Sequence, residues 1–430
     1  MARQPIQRQP FSCSLLPCGL RVITADLSQM QSVAAGIWAG AGGRYESPEL
    51  NGISHFLEHM NFKGTARRSA RQISKAIESV GGNMNGFTSE ESTCYYAKVC
   101  HTRFARALDV LLDLYAGSVF RESEVSKERQ VIKEETRMYT DMHQQIVYED
   151  LNAIMWPRHP LGRPLLGTFE SLDRIGAPEL RAYRDAHYVP ANTVISVAGN
   201  IRHEDVVHMV RTNTVDWARR PAPAPMARFR PGQRAPRLHF RTRPIEQTHM
   251  VIGVRAFSRT APERFALRML STILGENMSS RLNHEIRERR GLAYAVQSNV
   301  VRYFDTGALQ IGVSSDPANA PRVLGLVLKI CRDIAERGCR PAELRHAREF
   351  VRGNVALSLE RTTDYMLWMG ENLLTVNHVL TMDELLERFD SVSVADVQRV
   401  AATVFRDSRL SLALVTPEID RAAIRDLVTF

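Results

Sequence analysis

The stretch "SHFLEHMNFKGT", residues 54–65, places His55, Glu58 and His59 within five positions of an otherwise apolar run. Two histidines at i and i+4 on a helix can bind one zinc ion through their imidazole nitrogens, and a glutamate between them can hold and deprotonate a water. The same three residues can also form the wet side of an amphipathic helix. At about 100° per residue, with Ile53 at zero, Phe56, Leu57 and Met60 fall within about 60° of it and define a core stripe. His55, Glu58 and His59 fall at about 200°, 140° and 240°, so all three share the opposite face. A catalytic zinc needs a third protein ligand. The candidate lies in "SEVSKERQVIKEETRMYTDM", residues 123–142. With Glu128 at zero, Val131, Ile132, Met138 and Met142 lie within about 80° and mark an expected buried stripe, with Glu135 at about 340° along it. A carboxylate aimed into an apolar face needs a compensating charge, which a zinc ion or a salt bridge supplies. Glu134 falls nearer solvent, and Glu128, two turns before Glu135, is placed to orient a ligand or water.

The elements that position these residues follow from length and pattern. A chain of 430 residues with 44% hydrophobic and 24% charged content is globular and exceeds one ordinary core. The proline- and arginine-rich stretch around "RRPAPAPMARFRPG" divides it near the midpoint, as an extended linker at 219–236 between domains at 1–218 and 237–430. Each half then repeats the same order of elements. The first reads as a strand "SVAAGIWAGAGG", a helix through residues 52–62, a second helix, the strand "STCYYAKV" and further helices. The second reads as "HMVIGVRAF", a helix through "RFALRMLSTILGENMSSRLNHEIRERR", the strands "AYAVQSNVVRY" and "TGALQIGVSS", and the helix "APRVLGLVLKICRDIAERG". The expectation is an α+β fold of two similar α/β sandwich domains related by internal duplication, each a mixed, mostly antiparallel sheet packed by helices. In this alignment "SHFLEHM" falls on "LSTILGENM", so only the first half carries metal ligands.

Composition narrows the function classes. The net charge of +9 is concentrated around "ARFRPGQRAPRLHFRTRP", which reads as a solvated linker, since no nucleic-acid-binding motif accompanies it. No run of 18 apolar residues predicts a membrane span, and residues 1–30 hold no stretch of signal-peptide length, so the chain reads as cytoplasmic. The six cysteines form no CxxC pair and read as reduced, mostly buried thiols, with Cys94 and Cys100 on one strand face. "GAGGRYE" reads as a strand-end turn, and His101, His143 and His159 lack ligand spacing.

His55-Phe-Leu-Glu58-His59 followed by "FKGT" and then "ERQVIKEE" resembles the pitrilysin-like inverzincin metallopeptidases, which carry an H-x-x-E-H motif. The match is to the branch of half-length chains that includes the mitochondrial and bacterial processing peptidases. It extends through "LPCGLRVI", "GGNMNGFTSEESTCYYAKV", "PLGRPLLG" and "SSRLNHEIRERRGLAYAVQS". The resemblance implies one zinc per chain held by His55, His59 and Glu135, with Glu58 as general base and Glu128 as an auxiliary carboxylate. It implies that a peptide substrate is added as a strand along Asn85, Gly86 and Phe87, where the family reads N-A in place of Asn85-Gly86. Arg287 and Tyr294 match residues that the family brings to substrate and to the tetrahedral intermediate. Half-length relatives enclose the substrate in a chamber formed by a dimer. Because this chain carries both sets of residues, a homodimer is expected, with a heterodimer containing a zinc-less paralogue as the alternative. The remaining alternatives are a non-catalytic core subunit of the same fold and a peptidase dedicated to removing a leader from one modified peptide.

Overall fold

The computed structural model describes residues 11–417 and 419–430. The first ten residues, which the search for a signal peptide included, lie outside this range. The chain forms two compact units. One contains residues through Thr136 together with Pro164–Ala227 and Ala356–Thr381; the other contains Arg137–Arg163, Arg228–Val355 and Met382–Phe430.

The first unit is built on a six-stranded sheet of β1 (Ser12–Leu15), β2 (Arg21–Asp26), β3 (Ser32–Ala39), β4 (Asn83–Thr88), β5 (Thr93–Cys100) and β6 (Thr193–Gly199), in the order β1-β2-β6-β3-β5-β4. Only β2 and β6 run parallel. The second has a five-stranded sheet of β7 (Arg237–Thr242), β8 (Thr248–Ala256), β9 (Ala293–Arg302), β10 (Gly307–Ser315) and β11 (Leu410–Thr416), in the order β7-β11-β8-β10-β9. Its one parallel pair is β7 with β11. Without β1, both sheets have the same plan: first, last, second, fourth and third strand. The expected pair of similar, mixed sheets is therefore observed.

Helices α1 (Ile53–Asn61), α2 (Ala70–Glu78) and α3 (Phe104–Gly117) cover one face of the first sheet, and α4 (Glu122–Asp141) and α5 (His143–Met155) follow. Val33, Ala35 and Ile37 of β3 meet Phe56 and Leu57 of α1 and Leu108 and Leu111 of α3 in one buried cluster. At roughly 1.5–3 kcal/mol per buried aliphatic or aromatic side chain, this cluster fixes which face of α1 points inward.

The opposite face of each sheet is apolar as well and takes its cover from a helix far away in sequence. Ile23, Ala34, Trp38 and Cys94 pack against Met366 and Met369 of the helix Thr362–Val376. In the second unit, Val251, Ala308 and Ala413 pack against Val147, Leu151 and Met155 of α5. The units change over between Ala227 and Arg228, and the segments Arg137–Arg163 and Ala356–Thr381 each belong to the unit built mainly from the other half of the chain. Glycines make the helices fit. A Cβ on Gly370 would stand 2.0 Å from Trp38 Nε1, and one on Gly253 would stand 2.8 Å from both Leu151 and Met155.

Three expectations are corrected. Val131, Met138 and Met142 are exposed; the buried residues of α4 are Val125, Glu128 and Ile132. The helix packs through a narrower stripe because only its N-terminal part lies on the core. The long helix read over 264–290 is interrupted: Arg264–Ser271 is α-helical, Thr272–Glu276 and Asn283–Glu288 are π-helical, and the intervening Asn277–Ser280 segment turns. Finally, Cys100 ends β5 exposed whereas Cys94 is buried, and all six cysteines are free.

Gly370→Ala should lower unfolding stability by about 1–3 kcal/mol, the usual cost of overpacking. Denaturant titration of the variant checks this; an unchanged midpoint would show that Trp38 yields without strain.

Candidate active site

Helix α1 buries Ile53, Phe56, Leu57 and Met60 as its spacing requires. Its other face is not wet: His55 and Glu58 are each 8% exposed. This face meets α4 on one side and β4 on the other, and both contacts place polar groups against it. One donor atom from each of His55, Glu58 and His59 lies within 4.8 Å of the others, with the two rings 4.5 Å apart.

From α4, Glu135 turns Oε2 to within 3.8 Å of His55 Nε2 and 3.6 Å of His59 Nε2. About two turns earlier, Glu128 accepts a 2.9 Å hydrogen bond from His59 Nδ1 and pairs with Lys63 at 2.6 Å. With Nδ1–H donated to Glu128, Nε2 of His59 carries the lone pair that faces Glu135. Burial, reinforced by the neighbouring His59 and only partly offset by Glu128, holds the His55 imidazole down to about 3, so it is neutral across the physiological range. His59 is also disfavoured as a cation by burial, but Glu128, Glu58 and Glu135 together raise it above its ordinary value. Burial likewise opposes the charge on Glu128, yet the His59 and Lys63 hydrogen bonds outweigh it and lower the carboxyl below the usual range.

The donor set fits a zinc ion. Two imidazole nitrogens and one carboxylate oxygen are typical ligands, and bonds of about 2.0–2.2 Å in tetrahedral geometry separate ligand atoms by about 3.3–3.5 Å. The observed 3.6 and 3.8 Å separations lie a few tenths of an ångström from that spacing. A carboxylate facing two imidazole lone pairs is unfavourable unless a cation stands among them. Among the described residues, His55, Glu58 and His59 are the one group of three or more metal-binding side chains at such spacing, Glu135 reaches the two imidazoles at 3.8 and 3.6 Å, and all four lie in the first unit.

Strand β4 supplies the other wall. It is the edge of its sheet, paired to β5 and open on its far side. Gly86 faces α1, and a Cβ there would come within 2.8 Å of Glu58 Oε1 and 3.1 Å of the Phe62 ring. Thr88, two residues on and on the same face, donates to Glu58 Oε2 at 3.3 Å. Burial raises the Glu58 carboxyl above its ordinary value, with His59 and Thr88 opposing the shift.

The structure thus brings His55, Glu58, His59, Glu128, Glu135 and Gly86 together. Asn85 is exposed on the edge and accepts the Gly86 N–H at 2.8 Å. The Phe87 ring turns to the other face of the sheet, 5.5 Å from the Trp38 ring, which leaves its backbone on the edge. Arg287 and Tyr294 lie in the second unit, where the guanidinium sits 5.3 Å from the phenol ring centre and Tyr294 is 81% exposed. Thr88 and Lys63 were missed by the sequence reading. The period of two along β4 would have placed Thr88 with Gly86, and Lys63 lies four residues beyond His59 in the same motif.

Comparison with known proteins agrees with this geometry. Residues 21–169 match the family described as insulinase (peptidase family M16), and residues 174–351 match its peptidase M16 inactive domain. An uncharacterized zinc protease of Streptomyces coelicolor is 39% identical over 420 residues, covering 95% of this chain and 90% of the relative. The uncharacterized zinc protease YmxG of Bacillus subtilis is 36% identical over 403 residues, covering 93% and 96%. A crystal structure of a protease from Helicobacter pylori shares the fold, with a TM-score of 0.89 at 21% identity, over 95% of this chain and 100% of that one. The chain belongs to peptidase family M16, with the candidate metal ligands in its first half and a second half of the inactive-domain type.

Two outcomes follow from the geometry. Glu128→Gln should weaken zinc affinity by about 10–100-fold, measured by chelator competition, because His59 loses the carboxylate that fixes its tautomer. Gly86→Ala should lower stability by about 1 kcal/mol, since the new methyl meets the movable end of Glu58 at 2.8 Å but also presses on the Phe62 ring at 3.1 Å and the Cys94 carbonyl at 3.3 Å. Its crystal structure should show the Glu58 carboxylate displaced from its place beside Thr88, and an unmoved carboxylate would contradict this.

Proposed function

We propose that the chain is a zinc-dependent endopeptidase that hydrolyses peptides or unfolded segments bound as an added strand along β4. The observation that carries this reading is the convergence of His55 Nε2, His59 Nε2 and Glu135 Oε2, at 3.8 and 3.6 Å, beside the buried Glu58 carboxylate. Zinc, when held by these three residues, supplies Lewis acidity that lowers the pKa of a water and polarises a carbonyl.

The chain's own groups then have separate tasks. The open edge of β4 aligns an extended peptide by backbone hydrogen bonds, which suits a substrate of varied sequence. Glu58 takes a proton from the attacking water as its oxygen bonds to the scissile carbonyl carbon. The same carboxyl then delivers that proton to the amine nitrogen as the C–N bond breaks. Glu128 and Lys63 hold the His59 ring during both steps. Arg287 and Tyr294 donate to the substrate or to the developing oxyanion; their exposure as an adjacent pair supports that task. The expected partner is a second copy of the chain, since one sequence carries both sets of residues. In this reading the dimer encloses the substrate.

Wild-type protein should contain about one zinc per chain. Glu58→Gln should keep that zinc but lose about 10²–10⁴-fold in peptide cleavage, read by fluorogenic peptide assay and elemental analysis of the same sample. Full cleavage by Glu58→Gln would remove the reading, and a zinc-free, inactive wild type would favour a non-catalytic subunit.

A further inference from the structure

Helix α1 starts at a residue that cannot cap it. Gly52, at its N-cap, has φ of 94°, and a Cβ there would come within 2.6 Å of the Leu166 carbonyl oxygen. A serine, threonine or aspartate is therefore excluded from the position where its side chain would normally accept the first free backbone N–H groups of a helix. The cap comes instead from six residues upstream. Glu46, 4% exposed, accepts the Gly52 N–H and the Asn51 side-chain amide on Oε2, at 2.7 and 2.9 Å. Its Oε1 accepts the Ser54 N–H at 2.9 Å. The hydroxyl of Ser54 is tied in turn to the Tyr183 phenol at 2.8 Å.

His55 is the next residue, and its ring is held differently from that of His59. His59 is oriented through its own Nδ1 by Glu128. The His55 Nδ1 is buried and has no hydrogen-bond partner. With no group fixing that ring from behind, the aim of its Nε2 depends on where the backbone of the first turn lies. That backbone is pinned by Glu46. Its negative charge at the helix N-terminus also opposes the partial positive charge of the free N–H groups, which stabilises the first turn further.

We propose that Glu46 is a positioning residue of the metal site: it caps α1 in place of the missing N-cap side chain and thereby aims His55, whose Nδ1 has no hydrogen-bond partner to hold the ring. This rests on the zinc reading above. The two can fail separately, because the test compares variants of a protein whose wild-type zinc affinity is measured first.

Three measurements on the full chain decide it. In the wild type without metal, hydrogen exchange should show the Gly52 and Ser54 amides protected relative to the flanking loop; free exchange at both would overturn the proposal whatever any variant does. Glu46→Gln keeps the volume but has one carbonyl oxygen where two carboxylate oxygens served. It should speed exchange at one of these amides and weaken zinc binding by about 10-fold or more in chelator competition below its melting temperature. Glu46→Asp, with the charge retained on a shorter stem, carries the same comparison if the glutamine variant does not fold. Gly370→Ala is the control for general destabilisation and should leave zinc affinity within twofold of wild type. Wild-type affinity in a folded Glu46 variant would make the residue merely structural, and a wild type that binds no zinc would instead refute the metal site itself.

Discussion

A carboxylate on α4 faces the unprotonated nitrogens of two imidazoles on α1, and neither helix can withdraw. Helix α1 is fixed by Ile53, Phe56, Leu57 and Met60, all essentially inaccessible in the core. Helix α4 is fixed by Val125 and Ile132. Both surfaces are apolar, so their packing is set by shape and area rather than by the polar groups on the far sides. The consequence is a cluster of electron pairs that the fold imposes and that a proton on His59 or a metal cation relieves. The metal site is the residue of a packing decision made elsewhere in the domain.

The surrounding polar groups limit how far that arrangement can relax. Lys63 and Glu128 hold His59 from one side, and Glu46 holds the start of the helix from the other. Glu58 is treated differently. It has no charged partner of its own among its hydrogen bonds, only the Thr88 hydroxyl, and it rests against a backbone with no side chain at Gly86. His59 is braced by charge, while Glu58 sits in a recess with one weak tether.

Much of this was legible in the sequence. The 3.6-residue period placed His55, Glu58 and His59 on one face of α1, and the repeated order of strands anticipated two sheets with a shared plan. The helical period does place Glu135 on the face of α4 that carries Glu128, but Val131 and Met138 are exposed, so that stripe is not a buried one. A helix period says which residues share a face but not what that face meets. The helical breaks at 272–288 were hidden for a related reason. π-helical turns have nearly the same hydrophobic spacing as the helices they interrupt. Glu46 was invisible because its role is made by hydrogen bonds to backbone N–H groups six and eight residues on, which no periodic pattern records, whereas the period of two in β4 does place Thr88 beside Gly86.

The sheet that supports the metal site receives the cover for its second face from Met366 and Met369, far beyond the linker. During synthesis, the strands, α1 and α4 are complete once residue 199 has emerged. Trp38 and its apolar neighbours nonetheless remain open to water until another 170 residues or so have been added, by the spacing of these positions in the chain. Closure of this sheet's second face is therefore tied to synthesis of most of the polypeptide, and a ribosome-bound fragment that already holds His55, Glu58, His59 and Glu135 presents an unfinished domain.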